Sequence, residues 1–222
     1  MVFVPFTGVD NHKKSITFAA GLILKEDEES YTWLFTNFKK AMGHEPNIIL
    51  TDQDPAVKVA IETVFTTAVH RFCMWHIMMK VPSKVGPDLA NDEDCRKKFN
   101  NVVWNAELTR EQFFREWIAV MNEFDMQDKP WFRRLFDLRH YWIAAFFNDV
   151  KMGGLLRTTS RSESQNSFFN NFIGTGSDLV QFMNRFNNAI DSQRHTQQKL
   201  IFDSSTCTPT MKTPLKMEKH CA

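Results

Sequence analysis

The chain of 222 residues has almost no net charge: 27 Lys and Arg stand against 26 Asp and Glu, a formal +1. That balance excludes a global attraction to nucleic acid, so any contact with a polyanion has to come from a local patch. Cysteine is scarce. Cys73, Cys95, Cys207 and Cys221 fit neither a disulfide framework nor a Cys-x2-Cys zinc site, which points to a reducing compartment. No stretch approaches the ~18 consecutive apolar residues of a membrane span. There is no Gly-rich phosphate loop to support nucleotide hydrolysis, and no internal repeat. Tyrosine is rare too, at 2 residues against 21 Phe and 6 Trp, so the aromatics read as core filling. The 43% hydrophobic content is enough for a substantial core. The opening Val2-Phe3-Val4-Pro5-Phe6 reads as the inside of a strand with no signal-peptide pattern before it, as expected of a fragment or a truncated reading frame.

The pattern predicts an α/β protein. Residues 2–9 and 15–24 are rich in β-formers, and Asp10-Asn11-His12-Lys13-Lys14 between them is a polar turn, so the pair reads as a hairpin. Tyr31, Leu34, Phe38 and Met42 are helically spaced, and Gly43 stops that helix. Ile48-Ile49-Leu50-Thr51 is a short apolar run without alternation, which predicts a strand buried on both faces and paired in parallel. Pro55 opens a helix carrying Val57, Ile61 and Val64. Val69 to Phe72 is a further strand, followed by a helix over about 74–80. The order ββαβαβα is an α/β pattern.

Near Pro82 the character changes. Residues 92–150 hold no convincing strand. One helical stripe is Phe113, Trp117, Met121 and Phe124; another is Trp131, Leu135, Leu138, Trp142 and Phe146. Met152-Gly153-Gly154 reads as a joint, a helix bearing Glu163 follows, and Leu179, Phe182, Met183, Phe186 and Ile190 predict an amphipathic helix reaching about Leu200. The resulting division is a core over 2–81, an all-helical insertion over 82–157, helices completing the core over 158–202, and a disordered tail over 203–222.

Asp52 follows a parallel strand, where open α/β sheets place their ligands. Asp52 or Asp54 also suits the N-cap of the Pro55 helix, Asp54 being the better placed. Glu163 shares a polar helix face with Asn166 and Asn170, which equally describes a solvated face with an acid in the first turn. A strand-end aspartate and a helix-borne glutamate are what a two-metal phosphoryl-transfer site uses, because divalent ions take hard oxygen ligands on rigid supports. Such a site needs at least one more carboxylate. Cys73 and His76 lie one helical turn apart, but zinc needs four ligands and no second such pair stands nearby. The basic pairs Lys39-Lys40, Lys97-Lys98 and Arg133-Arg134 read as solvated helix faces.

Three ordered segments carry a resemblance. Ile49-Leu50-Thr51-Asp52-Gln53-Asp54, Arg71-Phe72-Cys73-Met74-Trp75-His76 and Ser160-Arg161-Ser162-Glu163-Ser164-Gln165-Asn166-Ser167-Phe168-Phe169 resemble the Mutator-like element (MULE) transposase domain. More closely, they resemble the plant far-red-impaired-response transcription factors, which derive from such transposases. Phe6-Thr7-Gly8-Val9-Asp10-Asn11-His12 resembles that family's second-strand signature, and the likeness runs over about residues 2–217. It implies a ribonuclease-H-like core of the Asp-Asp-Glu type. Asp52 matches the second acid and Glu163 the third. Cys73 and His76 match the family's Cys/Asp-x2-His motif, while Arg161 and Asn166 belong to the motif around Glu163. The first acid belongs on a strand upstream of the opening hairpin, and Asp10, in a turn, does not replace it.

The resemblance thus implies a nuclear, DNA-binding transcription regulator without cleavage activity. Zinc is expected in family modules outside this sequence, with no cofactor within it beyond a vestigial Mg²⁺ or Mn²⁺ at Asp52 and Glu163. Partners would be DNA, through the full-length protein, and a homo- or heterodimer mate, with no membrane. The competing expectation is a working MULE-type transposase that cleaves DNA with two divalent metals. A core lacking its first strand is further expected to be marginally stable, or to close its two half-sheets onto each other.

Overall fold

The computed structural model describes residues 1–150, 168–169 and 178–206. Within them the expected order appears: β1 (Val2–Val9), β2 (Ser15–Ile23), α1 (Glu28–Met42), β3 (Ile48–Thr51), α2 (Pro55–Val64), β4 (Val69–Phe72) and α3 (Met74–Met78). Helices alone follow up to residue 150: α4 (Val81–Val85), α5 (Pro87–Ala90), α6 (Glu93–Trp104), α7 (Arg110–Glu123), α8 (Pro130–Asp137), α9 (Arg139–Trp142) and a 3₁₀ turn at Ala144–Phe146. The last described element is α10 (Leu179–Thr206). The result is a mixed α/β fold. The chain falls into two compact units, Met1–Val4 with Gly21–Ser160 and Pro5–Ala20 with Arg161–Ala222.

In the first unit, α1 shows how local chemistry sets the element ends. Asp27 caps it by accepting from the Ser30 N–H, Glu28 and Glu29 face the positive end of the helix dipole, and Lys39 and Lys40 the negative end. Gly43 closes it at φ 74°, a conformation most side chains resist. After the turn, β3 pairs in parallel with β4 in the register Ile48↔Val69 to Thr51↔Phe72. The predicted pairing is therefore observed, but the predicted burial of β3 is not. All four β3 residues are only partly covered, whereas His70, Arg71 and Phe72 of β4 are buried. The reason is topological: among the described residues β3 has a single strand neighbour, so one of its edges lacks the cover a central parallel strand receives. Among the described residues the hairpin and the β3–β4 pair are two separate two-stranded sheets.

The main core lies under the helices. Phe72, Met74 and Ile77 join Cys95, Phe99, Val103, Phe113, Trp117, Phe132, Leu135 and Trp142 in one buried cluster. Asp92 caps α6, and Thr109 with Gln112 forms a capping box on α7. Of the stripe Phe113, Trp117, Met121 and Phe124, the first three are buried and Phe124, the C-cap, is partly buried. The second predicted stripe is broken. The chain turns at Leu138 and again at Ile143, so Trp131 to Phe146 is a helix, a single turn and a 3₁₀ turn. The Trp142 indole explains the bend, since it folds back to donate to the Leu135 carbonyl at 3.0 Å.

In the second unit, the turn of the hairpin is organised by Asp10. Its carboxylate accepts from the N–H groups of His12 and Lys14, and Lys13 takes φ 61°. Gln193 of α10 accepts from Thr17 N–H at 3.0 Å and donates back to the Thr17 carbonyl at 3.3 Å, so a side-chain amide extends the backbone pairing of β2. The apolar stripe predicted for α10 exists as a pattern but is not buried: only Ala189 is, while Leu179 and Met183 are 51% and 45% exposed. The helix also runs past Leu200 to Thr206, into the stretch expected to be disordered. Residues 207–222 lie outside the described ones.

Candidate site at the tip of strand β3

The C-terminal ends of β3 and β4 lie side by side, with the Cys73 N–H donating to the Thr51 carbonyl at 2.7 Å. Asp52 leaves the tip of β3 and is exposed. The competition for the cap is decided in favour of Asp54, whose carboxylate accepts from Val57 N–H at 2.9 Å at the head of α2. Asp52 Oδ1 accepts only a long contact of 3.3 Å from Asp54 N–H among its hydrogen bonds, so its carboxylate is not spent on capping.

A short relay fixes the backbone beneath it. The Thr51 hydroxyl donates to the Asp52 carbonyl at 2.8 Å and lies 2.8 Å from His70 Nε2. Because the hydroxyl proton is committed, the imidazole donates through Nε2–H. Burial among apolar rings pushes His70 down to about 4, and Lys58 adds to that, with Glu62 opposing. The imidazole packs against Phe72 and Tyr141, with ring centroids 5.1 and 5.7 Å away. The Tyr141 hydroxyl donates to Glu62, which also pairs with Lys58.

Two groups beside the tip were not among the predicted site residues. Tyr31 of α1, 6% exposed, places its hydroxyl 3.5 Å from Glu26. Burial raises it to about 12, and the carboxylates of Glu26, Asp54 and Asp52 push in the same direction. The Tyr31 phenol therefore stays protonated at neutral pH. Tyr31 was read from its helical spacing as a core residue, which it is. Only the acidic run Glu26-Asp27-Glu28-Glu29 before it hinted that its hydroxyl would meet a carboxylate.

Cys73 is fully buried at the start of α3, and His76 is partly exposed one turn later. No group of three or more His, Cys, Asp and Glu side chains able to hold a metal ion occurs among the described residues. Glu163, Arg161 and Asn166 lie outside them, so the expected meeting of Asp52 with Glu163 has no geometry here. Asp10 is a turn residue, as expected. Burial pushes its carboxyl up, but the N–H groups of Lys14 and His12 and the Gln197 side chain outweigh this and hold it low.

Residues 1–80, which carry the hairpin, both parallel strands, Asp52, Cys73 and His76, match the MULE transposase domain. Three Arabidopsis thaliana proteins are similar over nearly the whole chain. Protein FAR1-RELATED SEQUENCE 5 is 33% identical over 221 residues, 99% of this chain and 28% of that protein. Protein FAR1-RELATED SEQUENCE 9 is 30% identical over 99% of this chain and 40% of its own length. Protein FAR-RED IMPAIRED RESPONSE 1 is 28% identical over 98% of this chain and 26% of its own length. The chain is similar to far-red-impaired-response proteins over nearly its whole length. It spans between about a quarter and two fifths of the lengths of these relatives. The similarity continues through the helical stretch beyond residue 80, where the MULE match stops. No helix among the described residues is long and apolar enough to cross a membrane.

Proposed function

We propose that this chain is one domain of a transposase-derived nuclear regulator that associates with DNA and does not cleave it. The similarity to these proteins over nearly the whole chain carries this reading: one of the three names records an impaired response to far-red light, and none records strand cleavage. The mixed α/β fold with a MULE match over residues 1–80 supports the transposase ancestry, and a ribonuclease-H-like core is the architecture we assign to it. With Asp52 the one predicted acid among the described residues, no step is assigned to a metal ion. If Mg²⁺ or Mn²⁺ binds, Asp52 and Glu163 are the ligands we name. Cys73 and His76, the first fully buried, are assigned to packing, and zinc to family modules outside this chain.

The test uses the full-length gene product and labelled duplex DNA. Binding should weaken steeply with salt, since phosphate contacts release counterions, and no cleavage should follow with Mg²⁺ or Mn²⁺. Asp52→Ala should leave binding unchanged. Localisation of a fluorescent fusion to nuclei and a dimer mass in sedimentation are expected alongside. One observation favours the alternative of an active transposase: Asp52 is exposed at a parallel strand end and released from capping. Metal-dependent cleavage that Asp52→Ala abolishes would establish that alternative and end the regulator-only reading.

A further inference from the structure

The loop joining β2 to α1 holds an arrangement that the acidic tip does not use. Ile23, the last residue of β2, is buried at 3% exposure, and residues 24–27 form the connection. Leu24 is 79% exposed, and Lys25 and Glu26 beside it are exposed as well. Asp27 follows in extended backbone at φ −127° and ψ 166°, and α1 begins at Glu28. Among the described residues no hydrogen bond or ion pair holds the Lys25 amine. An amine is acylated only where it can leave its own surface, and Lys25 has no contact to break first.

The order of residues narrows the acylating enzyme. A large aliphatic residue, a lysine, any residue and a carboxylate, in extended backbone, is the tetrapeptide read by the enzyme that conjugates small ubiquitin-like modifiers. The reasons are physical. The aliphatic side chain gains by burial against the enzyme, the carboxylate pairs with a basic group there, and the two together hold the amine at the reacting carbon. Leu24-Lys25-Glu26-Asp27 has that order. Glu28 and Glu29 extend the negative charge beyond it, which steers a basic surface toward the loop. Asp27 Oδ1 also accepts from the Ser30 N–H at 2.9 Å. That cap fixes the carboxylate relative to Lys25 without consuming it, because a carboxylate accepts at both oxygens. Lys58 and Lys80 likewise follow an apolar residue, but Ala60 and Pro82 stand where the carboxylate should be, and both amines are engaged, with Glu62 and Gln53. Of the other lysines only Lys216, in Leu215-Lys216-Met217-Glu218, shares the pattern, and it lies outside the described residues.

We infer that Lys25 is a conjugation site for a small ubiquitin-like modifier, selected by Leu24 and Asp27 on an exposed loop. The co-reactant is the modifier held as a C-terminal thioester on a cysteine of its conjugating enzyme. The Lys25 nitrogen attacks the thioester carbonyl. A C–N amide bond forms and the C–S bond breaks. The enzyme keeps the thiolate, and the two protons lost by the ammonium pass to solvent. This site is separate from the proposed DNA association and does not depend on it.

The test is a reconstituted reaction on the full chain with purified activating and conjugating enzymes, the modifier and ATP. It is read as a mass increase of one modifier and as a branched tryptic peptide at Lys25. Conjugation at Lys25 is expected, and in a Lys216→Arg background Lys25→Arg should abolish it. Leu24→Ser should slow it about tenfold. Asp27→Asn should slow it several-fold while keeping the α1 cap, since asparagine caps as well as aspartate, and matching thermal melts check the fold. No conjugation of the native chain would overturn the inference. So would a rate unchanged by Lys25→Arg in that background, equal modification of Lys25 and the other exposed lysines, or conjugation at Lys25 indifferent to both Leu24→Ser and Asp27→Asn. The reaction contains no DNA, so its failure leaves the regulator reading standing, and a failure of DNA binding leaves the conjugation site standing.

Discussion

Residues 1–80 and the helices from 81 to 150 belong to one chain but are held by different forces. The first stretch relies on directed polar contacts at its joints. Asp27 and Asp54 cap helices. Glu45 accepts from Lys39 and from the Thr67 and Ala68 N–H groups, and the Lys39 ion pair and these hydrogen bonds hold its carboxyl far below the usual range. Its apolar packing is a smaller cluster in which Tyr31, Phe35 and Phe65 meet in sequence. The helical stretch relies on aromatic contact. Phe113 alone lies within ring distance of Phe114, Trp117, Phe136 and Phe146. The lesson is a division of labour: the part matching a transposase domain exposes strand ends and carboxylates, and the part beyond the match supplies most of the cluster that joins Phe72, Met74 and Ile77 to the helices.

The harshest way to test that division is Trp142→Ala. The indole is fully buried, packs on Trp117 and donates to the Leu135 carbonyl. Its loss should cost about 3–5 kcal/mol, a large share of a domain's stability, and the Leu135 carbonyl loses its partner as well. Urea unfolding should show the first unit collapsing as a whole, since Phe72 and Ile77 of the matched stretch sit in the same cluster. Retention of a native-like α/β signal with only the helices melted would show that the two stretches fold independently.

A second test strikes the seam, where His70 of β4 meets Tyr141 of the helical stretch. The folded imidazole sits near 4 against an ordinary 6.5. Below 6.5 the unfolded chain takes up a proton that the folded chain refuses, so stability falls as pH drops from about 6.5 to about 4 and levels off beneath. The loss attached to this one group is at most about 3 kcal/mol. Lys58, Glu62, Tyr141 and Thr51 are the polar groups facing it, and none titrates normally within that window except through Glu62, which its Lys58 and Tyr141 contacts hold low. Unfolding free energies of the native chain and His70→Phe at several pH values should show a shallower slope for the variant. Parallel slopes would remove His70 from the seam.

Much of this was legible in residue patterns, and the failures are physical. The hairpin, the parallel run Ile48 to Thr51, and the stop at Gly43 follow from turn chemistry and β-propensity, which act locally. The burial of β3 was misjudged because an unalternating apolar run reports suitability for cover on both faces, not whether a neighbour strand supplies it. The break at Leu138 was invisible because the apolar spacing of Trp131 to Phe146 continues in phase through it, and the Trp142 hydrogen bond that bends the chain is tertiary. At the site, the sequence left the cap undecided between two aspartates two positions apart, since both offer the same carboxylate. Only backbone geometry separates them.

That separation makes the last and smallest prediction. Asp54→Ala removes an N-cap hydrogen bond and should cost about 1 kcal/mol. Asp52→Ala removes an exposed carboxylate with one long contact and should change stability by no more than about 0.5 kcal/mol. Paired denaturation curves at neutral pH decide the matter. If the two costs were reversed, Asp52 would be the structural residue, its release for any role at the strand tip would be an error, and the chemistry of the matched stretch would have to be sought from Asp54 instead.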